Sequence, residues 1–212
     1  MFDIIRSKFE SDIKLDFVAL GYAQVDENNS HSSIIIQRNK KLFEFHYTGR
    51  NVEYKSLRND YCHKFTATIH PDEIASFIAM CINIEKNANP RYGFFYSGQS
   101  YDKDGNHLSS QEPGEVMTCV GFCLNVLKGF FETDYLHYQD WNKSSIEIPN
   151  YLEQYCESHN LKIEEVENSH RRITPLELLS SCFFENIPIK KSEIDSKKDE
   201  VSEILKRKFS NN

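Results

Sequence analysis

The sequence lacks the patterns that mark several common classes of protein. Its six cysteines include no CxxC pair, so neither a zinc ribbon nor a disulfide framework is predicted. Its apolar runs are all far shorter than the roughly 20 residues of a membrane-spanning helix, so no integral membrane segment is predicted. Positively charged residues are fewer than negatively charged ones, with 25 Lys and Arg against 32 Asp and Glu. The resulting net charge of −7 argues against a broad nucleic-acid-binding surface.

No cleavable targeting signal is predicted at the start of the sequence. The first residues, Met1 to Lys8, place charges within what would be the apolar part of a signal peptide. We therefore expect no Sec signal peptide, a chain that is cytoplasmic as synthesised, and reduced cysteines. This expectation leaves room for export by a dedicated secretion system that needs no such peptide.

The composition is that of an ordinary globular protein, with 39% hydrophobic and 13% aromatic residues in 212. We predict one α+β domain over residues 1–189. The end of the chain, residues 190–212, is charged and carries only a thin apolar stripe, which predicts a weakly docked helix or a mobile tail.

Hydrophobic periodicity predicts the order of the elements. A short helix over residues 1–12 precedes five strands over residues 14–25, 31–37, 41–48, 52–57 and 63–69. The proline after His70 then starts a helix. Further helices are predicted from Cys119, over residues 149–158, and from Thr174 to about Phe184, where a Thr-Pro-Leu-Glu sequence is typical of a helix start.

The helix predicted from Cys119 has chemical interest because a thiol occupies its first turn. Thr118 is a suitable N-cap and Gly129 a plausible stop. The helix dipole would lower the pKa of the thiol and favour the nucleophilic thiolate. Apolar residues at helical spacing from Cys119 (Phe122, Cys123, Val126, Leu127 and Phe130) also allow the alternative that this cysteine is a small hydrophobic residue of a core face.

Two histidines lie on the strands of a predicted hairpin. If Ile36 pairs with Lys41, then His31 faces His46 directly, and both share a sheet face with Ser33 and Glu44, as well as with Ile35 and Leu42. If Ile36 pairs with Leu42 instead, the two histidines fall on opposite faces. The sequence leaves both registers open.

Cys119 and the histidines together match the requirements of thiol catalysis. A cysteine nucleophile needs an imidazole to take its proton and a polar group to hold that imidazole. We assign Cys119 as the nucleophile, His31 as the base and His46 as the group that orients it, with Glu44 as the alternative orienter. The backbone N–H of Cys119 would stabilise an oxyanion. The alternative for each histidine is a surface residue at the end of a strand.

A long stretch with little regular pattern, residues 87–117, precedes the cysteine. Its aromatic residues Tyr92, Phe94 and Tyr96 are predicted to bind substrate, with the core as the alternative location. No Cys/His cluster has the spacing of a metal site, so we predict neither a metal nor a cofactor.

The segments His31-Ser-Ser-Ile-Ile-Ile, Phe45-His46 and Thr118-Cys119-Val-Gly-Phe122 resemble the circularly permuted branch of the NlpC-type papain-like cysteine hydrolases. That branch includes the lecithin:retinol acyltransferase-like and YiiX-like proteins. The order His, His, Cys is the mark of the permuted form. The resemblance covers about residues 14–130, and Thr118 stands where the family usually has Asn. It implies a papain-like fold in which an antiparallel sheet packs against the helix of Cys119.

The resemblance implies a cysteine hydrolase, a peptidase or amidase that acts through a thioester on Cys119. It points to cell-wall peptides as substrates of a bacterial effector or toxin, with a cognate inhibitor or a secretion partner. Two alternatives stand beside it. One is a thioesterase, phospholipase or acyltransferase on lipid-like esters, and the other is a non-catalytic immunity or adaptor protein with a structural cysteine. The expected partner is a peptide or acyl substrate, not a nucleic acid.

Overall fold

An antiparallel sheet of six strands is the centre of the structure, a computed structural model that describes residues 4–7, 15–66, 68–109, 112–141 and 149–210. The strands lie in the order β1-β6-β2-β3-β4-β5. With several helices beside this sheet, the predicted α+β class is confirmed. The strands are β1 (Ile5–Arg6), β2 (Phe17–Gln24), β3 (Ser30–Arg38), β4 (Lys41–Tyr47), β5 (Val52–Ser56) and β6 (Cys62–Phe65).

Helices and four short strands follow the sheet in the chain. The strands form two small pairs, β7 (Arg91–Tyr92) with β10 (Val116–Met117) and β8 (Ser100–Tyr101) with β9 (His107–Leu108). The helices are α1 (Ile74–Asn87), α2 (Cys119–Phe131), α3 (Pro149–His159), α4 (Ile163–Val166), α5 (Pro175–Ser181) and α6 (Lys191–Ser210). No helix in the described ranges is long and apolar enough to cross a membrane.

Helices α1 and α2 cover one face of the sheet and form the main core with it. Ile34, Ile36 and Phe45 point toward this core, and Phe122 of α2 packs its ring edge-on to Phe45 with centroids 5.1 Å apart. Phe122 is completely buried, and removing such a side chain from water contributes about 1.5–3 kcal/mol. This packing fixes α2, and with it the position of its first residue, against strands β3 and β4.

The hairpin between β3 and β4 has a register that differs from both registers considered from the sequence. Its turn consists of Asn39 and Lys40, both with positive φ (50° and 63°), and Ile36 pairs with Phe43. Two-residue hairpin turns with two positive φ angles match the twist of the strands. Both predicted pairings are therefore wrong. The true register differs from the first by an even number of residues, so the predicted shared face of His31 and His46 is retained.

Two further expectations, for residues 1–12 and for the end of α2, differ from the structure. Ile5–Arg6 is a strand, paired with β6, where a helix over residues 1–12 was predicted; the rest of that segment except Ile4 and Ser7 lies outside the described residues. Helix α2 does not stop at Gly129 but continues to Phe131. A Cβ at Gly129 would lie 1.9 Å from the carbonyl oxygen of Tyr101, so this glycine permits a close approach of two segments.

Helix α6 packs at the edge of the sheet where β1 and β6 lie, and α5 contacts both α6 and the central strands β2 and β3. Val201 and Leu205 of α6 are buried with Ile4, Cys62 and Leu179. Residues 191–210 thus form a docked helix whose outer face carries the charge of this segment. Helix α5 begins as predicted at the N-cap Thr174 but ends at Ser181, before the predicted Phe184.

Candidate active site

Cys119 lies in the first turn of α2, close to backbone N–H groups that have no partner within the helix. Thr118 is the N-cap, as predicted, and its Oγ1 accepts a hydrogen bond from the Gly121 N–H at 3.1 Å. The first N–H groups of a helix have no partner within the helix. The cap satisfies that of Gly121, and the N–H groups of Cys119 and Val120 are directed at the thiol.

Strands β3 and β4 separate next to this helix end. Their paired ladder ends at Ile34 and Phe45, although β3 extends back to Ser30 and β4 on to Tyr47. The backbone N–H of Ser32 donates toward the sulfur of Cys119. The thiol thus accepts a hydrogen bond from a backbone N–H of β3 that lies beyond the end of the β3–β4 ladder. It reaches the sheet in the gap between two strands.

The net electrostatic effect on Cys119 is opposite to the prediction. Burial raises the pKa of the thiol and outweighs the lowering by the N–H groups of Ser32, Val120 and Cys119 itself. The helix dipole alone therefore does not produce a thiolate at rest. A thiol in this position reacts well only if a base removes its proton as the reaction proceeds.

The two histidines meet at the separated strand ends. The Nε2 atom of His31 lies 2.9 Å from the Nδ1 atom of His46, with the rings close to perpendicular. Burial, followed by the proximity of His46, lowers the pKa of His31 to about 4. Burial also lowers the pKa of His46. Both rings are therefore neutral near pH 7, and one N–H between them can form the hydrogen bond.

Glu53 completes this group, although no pattern in the sequence indicates it. It lies directly opposite His46 in the β4–β5 ladder, and its Oε2 atom is 3.4 Å from His46 Nε2. This contact is too long for a strong hydrogen bond, but it places a carboxylate against the outer nitrogen of the pair. Lys55 also contacts Glu53, and it is the main cause of the lowered pKa of this carboxyl.

Glu44, the alternative orienter, forms its hydrogen bond with another partner, although its charge raises the pKa of His46 against the larger effect of burial. It is completely buried, accepts a hydrogen bond of 3.0 Å from Asn59 Nδ2 and lies 3.8 Å from Lys55. The group hydrogen-bonded to His31 is therefore His46.

The contacts define a consistent arrangement of protons. A carboxylate can only accept, so Glu53 favours a proton on Nε2 of His46. The Nδ1 atom of His46 then accepts the Nε2–H of His31, which leaves the Nδ1 lone pair of His31 as the basic site. This assignment follows from the network of partners. It produces a neutral histidine with the proton-accepting nitrogen directed away from its partner.

Cys119 and His31 are close along the strand but are not hydrogen-bonded within the described residues. The thiol contacts the backbone of Ser32, whose Cα lies about 3.8 Å from that of His31. The thiol approaches from the helix side of the sheet, whereas both imidazoles project from the other face. Proton transfer between the two groups therefore requires a bridging water at the separated ends of β3 and β4.

The three aromatic residues predicted to bind substrate occupy different environments. Tyr92 is 51% exposed and lies within electrostatic reach of Cys119. Phe94 packs edge-on against Tyr92 with centroids 5.7 Å apart. Tyr96 is only 2% exposed and packs against Tyr138, so its position contradicts the prediction. Tyr92 and Phe94 can contact a substrate at the thiol, whereas Tyr96 belongs to the core.

An open cleft of about 640 Å³ borders the histidine pair on the face opposite α2. Its wall includes Asn59, Asp60 and Tyr61, and Phe209 of α6 contributes its ring. Arg6, also in this wall, is held by Asp60 through its Nε atom at 2.9 Å. This cleft gives solvent a route to the imidazoles without passing the thiol.

Within the described ranges, no group of three or more His, Cys, Asp or Glu side chains could hold a metal ion. Comparisons with protein-family models, curated proteins and solved structures give no match for this chain. The interpretation of the site therefore depends on its geometry and on the resemblance of its three short motifs.

Proposed function

We propose that this chain is a cysteine hydrolase of the permuted papain-like type, with Cys119 as the nucleophile, His31 as the base and His46 as the orienting group. The observation that carries the proposal is the 2.9 Å contact between His31 and His46, beside the strand residue whose N–H faces the thiol. Strongly perturbed pKa values cluster at functional sites, so two histidines with lowered pKa values beside the strand that contacts the thiol favour a role in proton transfer.

The first half-reaction forms a thioester. The Nδ1 atom of His31 takes the proton of the Cys119 thiol through a bridging water at the separated strand ends, as the sulfur attacks the carbonyl carbon of the substrate. The new S–C bond pushes the carbonyl electrons onto oxygen, and the N–H groups at the start of α2 stabilise the resulting oxyanion. His31 then protonates the leaving amine as the C–N bond breaks.

The second half-reaction releases the acyl group. His31 takes a proton from water, whose oxygen attacks the thioester carbon; the C–S bond then breaks, and His31 returns the proton to the sulfur to restore the thiol. In both halves the positive charge on His31 is shared with His46 through their hydrogen bond. Glu53 stabilises that charge from the far side of the pair, at 3.4 Å from His46.

The surface near the thiol favours a peptidase or amidase over an enzyme for lipid-like esters. A lipid chain requires a continuous apolar groove at the thiol, but the groove lined by Leu15, Phe17, Phe65 and Phe183 includes neither Cys119 nor the histidines, and the most exposed large apolar residues of the described surface are scattered. Of these, only Tyr92 lies near Cys119 and only Val25 borders the cleft beside the histidines. Action on cell-wall peptides as a bacterial effector, with an inhibitor or secretion partner, is supported by the resemblance alone.

The rate at which iodoacetamide alkylates Cys119 tests this proposal. We expect His31→Ala to slow alkylation at pH 7 by about 100-fold, because general-base assistance contributes about 10²–10⁴-fold. His46→Ala should slow it less, since the base remains but is no longer held. Peptide mass spectrometry distinguishes Cys119 from the other five cysteines, all of which are buried.

The matched control is His70→Ala, which removes a histidine that is 69% exposed and outside the site. It should leave the alkylation rate unchanged. Equal rates for the wild type and the His31→Ala variant would show that Cys119 is a structural residue, as in the non-catalytic alternative.

A further inference from the structure

Backbone contacts between residues 94–96 and residues 170–171 fix the position of the backbone at Arg172. The segment around His170 forms a β-bridge with Phe95, and the backbone N–H of Arg171 donates to the carbonyl of Phe94 at 2.9 Å. The Nη1 atom of Arg171 also donates to the Tyr96 carbonyl at 2.8 Å. The backbone at Arg172, the next residue, is therefore held beside Phe94.

The side chain of Arg172 lies on the same surface as the aromatic residues near Cys119. Its guanidinium stands over the ring of Phe94, 5.8 Å from the centroid, and Phe94 in turn contacts Tyr92. Tyr92 pairs with Met117 in the parallel ladder of β7 and β10, two residues before the cysteine. These contacts lead from Arg172 through Phe94 and Tyr92 to strand β10, which ends two residues before Cys119.

Electrostatics agree with this path. Burial is the main cause that raises the pKa of Tyr92, Cys119 raises it further, and Arg172 opposes the increase. Tyr92 therefore lies within reach of both groups, with the thiol and the guanidinium as its charged or ionisable neighbours.

Arg172 is exposed and has no carboxylate partner within the described residues. By contrast, Arg6 pairs with Asp60 and Arg38 pairs with Asp16. Arg50 and Arg58 are also exposed and have no carboxylate partner in the described ranges, but Arg172 differs from them in its contact with the aromatic pair that lies near Cys119. The planar guanidinium of an arginine can donate two parallel hydrogen bonds to a carboxylate.

We propose that Arg172 binds a carboxylate of the substrate next to the bond that Cys119 attacks, so that the substrate is an acidic peptide. This inference rests on the proposed function of Cys119 as a nucleophile. An anionic membrane fits the surface less well, because the net charge of the chain would repel it and the exposed apolar residues are scattered.

Two alkylating reagents of nearly equal size test the inference without a known substrate. Iodoacetate carries a carboxylate and iodoacetamide does not, and with both the Cys119 sulfur forms a bond to carbon as iodide leaves. We expect Arg172→Gln to lower the ratio of the iodoacetate rate to the iodoacetamide rate at Cys119 by about fivefold, through the lost charge attraction. Arg172→Lys should retain most of the ratio.

The control is Arg38→Gln, which makes the same charge change at the other end of β3 from His31 and should leave the ratio unchanged. An unchanged ratio in Arg172→Gln would overturn the inference alone. A Cys119 unreactive with both reagents would overturn the proposed function, and this inference with it.

A second measurement separates a peptide from a membrane. The wild type should not sediment with phosphatidylserine vesicles at physiological salt. Sedimentation that Arg172→Gln abolishes would overturn the assignment of the carboxylate to a peptide and favour a lipid headgroup.

Discussion

Acid should destabilise this protein through histidines that are buried in neutral form, and His107 allows the effect to be isolated away from the candidate site. Its ring packs edge-on against Tyr101 with centroids 5.2 Å apart. Its Nε2 atom is buried and has no hydrogen-bond partner in the described part of the chain. Burial lowers the pKa of His107 from 6.5 to about 4. A protonated ring is therefore disfavoured in the folded state.

The sign and size of the effect follow from that pKa shift. The folded state binds a proton more weakly than the unfolded state, so stability is full above pH 6.5 and falls as the pH drops toward 4. With these two pKa values, one such histidine costs about 2 kcal/mol of the free energy of unfolding between pH 7 and pH 5. We expect His107→Phe, which keeps an aromatic ring against Tyr101, to remove that loss.

Urea unfolding at pH 7 and at pH 5, followed by circular dichroism, measures the loss in each protein. The difference between wild type and His107→Phe isolates one residue, because all other titrating groups are shared. His31 has a similarly lowered pKa and keeps its own acid sensitivity in the variant. An equal loss of stability in wild type and variant would refute the reasoning.

Two other substitutions test the site and the fold. Glu53→Gln should slow alkylation of Cys119 about tenfold. A charge 3.4 Å from His46 contributes about 1 kcal/mol in water and about 5 kcal/mol at an effective dielectric constant of about 20. Because Glu53 is partly exposed, we expect a value near the lower limit. Gly129→Ala should lower the free energy of unfolding by about 3 kcal/mol or more in urea titrations, because its Cβ would meet the Tyr101 carbonyl oxygen at 1.9 Å.

Each of these has a matched control. Glu164→Gln removes an exposed carboxylate on α4, and a slowing equal to that of Glu53→Gln would show a general charge effect. Gly114→Ala changes a glycine with φ of 76° and no atom within 4 Å of its new Cβ, so it should cost only about 1 kcal/mol. A Gly129→Ala variant as stable as this control would contradict the close approach.

The sequence predicted those features that depend on local order. Helical spacing and the Thr118 cap located the start of α2, because a cap acts within one turn of its own chain. Strand alternation located β2 to β6 approximately. By contrast, the two residues of β1 carry no pattern of their own, and pairing with β6 makes them a strand.

Features that depend on register or on tertiary packing were not predictable in the same way. The pairing of His46 with Glu53 requires the β4–β5 register, which no local signal specifies. Tyr92 and Tyr96 have similar neighbours in sequence, yet one is exposed and the other is covered by Tyr138. The raised pKa of the Cys119 thiol likewise reflects burial that the helix dipole could not reveal.

The succession of β3, β4 and β5 has a consequence for the order in which the molecule assembles. His31, His46 and Glu53 all lie on this continuous meander, whose neighbouring strands need only short loops to close. Cys119 joins them only after a much longer segment has been brought back, and such closures are slower. The proton-accepting part of the site can therefore form as a local unit during folding, and arrival of the thiol is the step that depends on the whole chain.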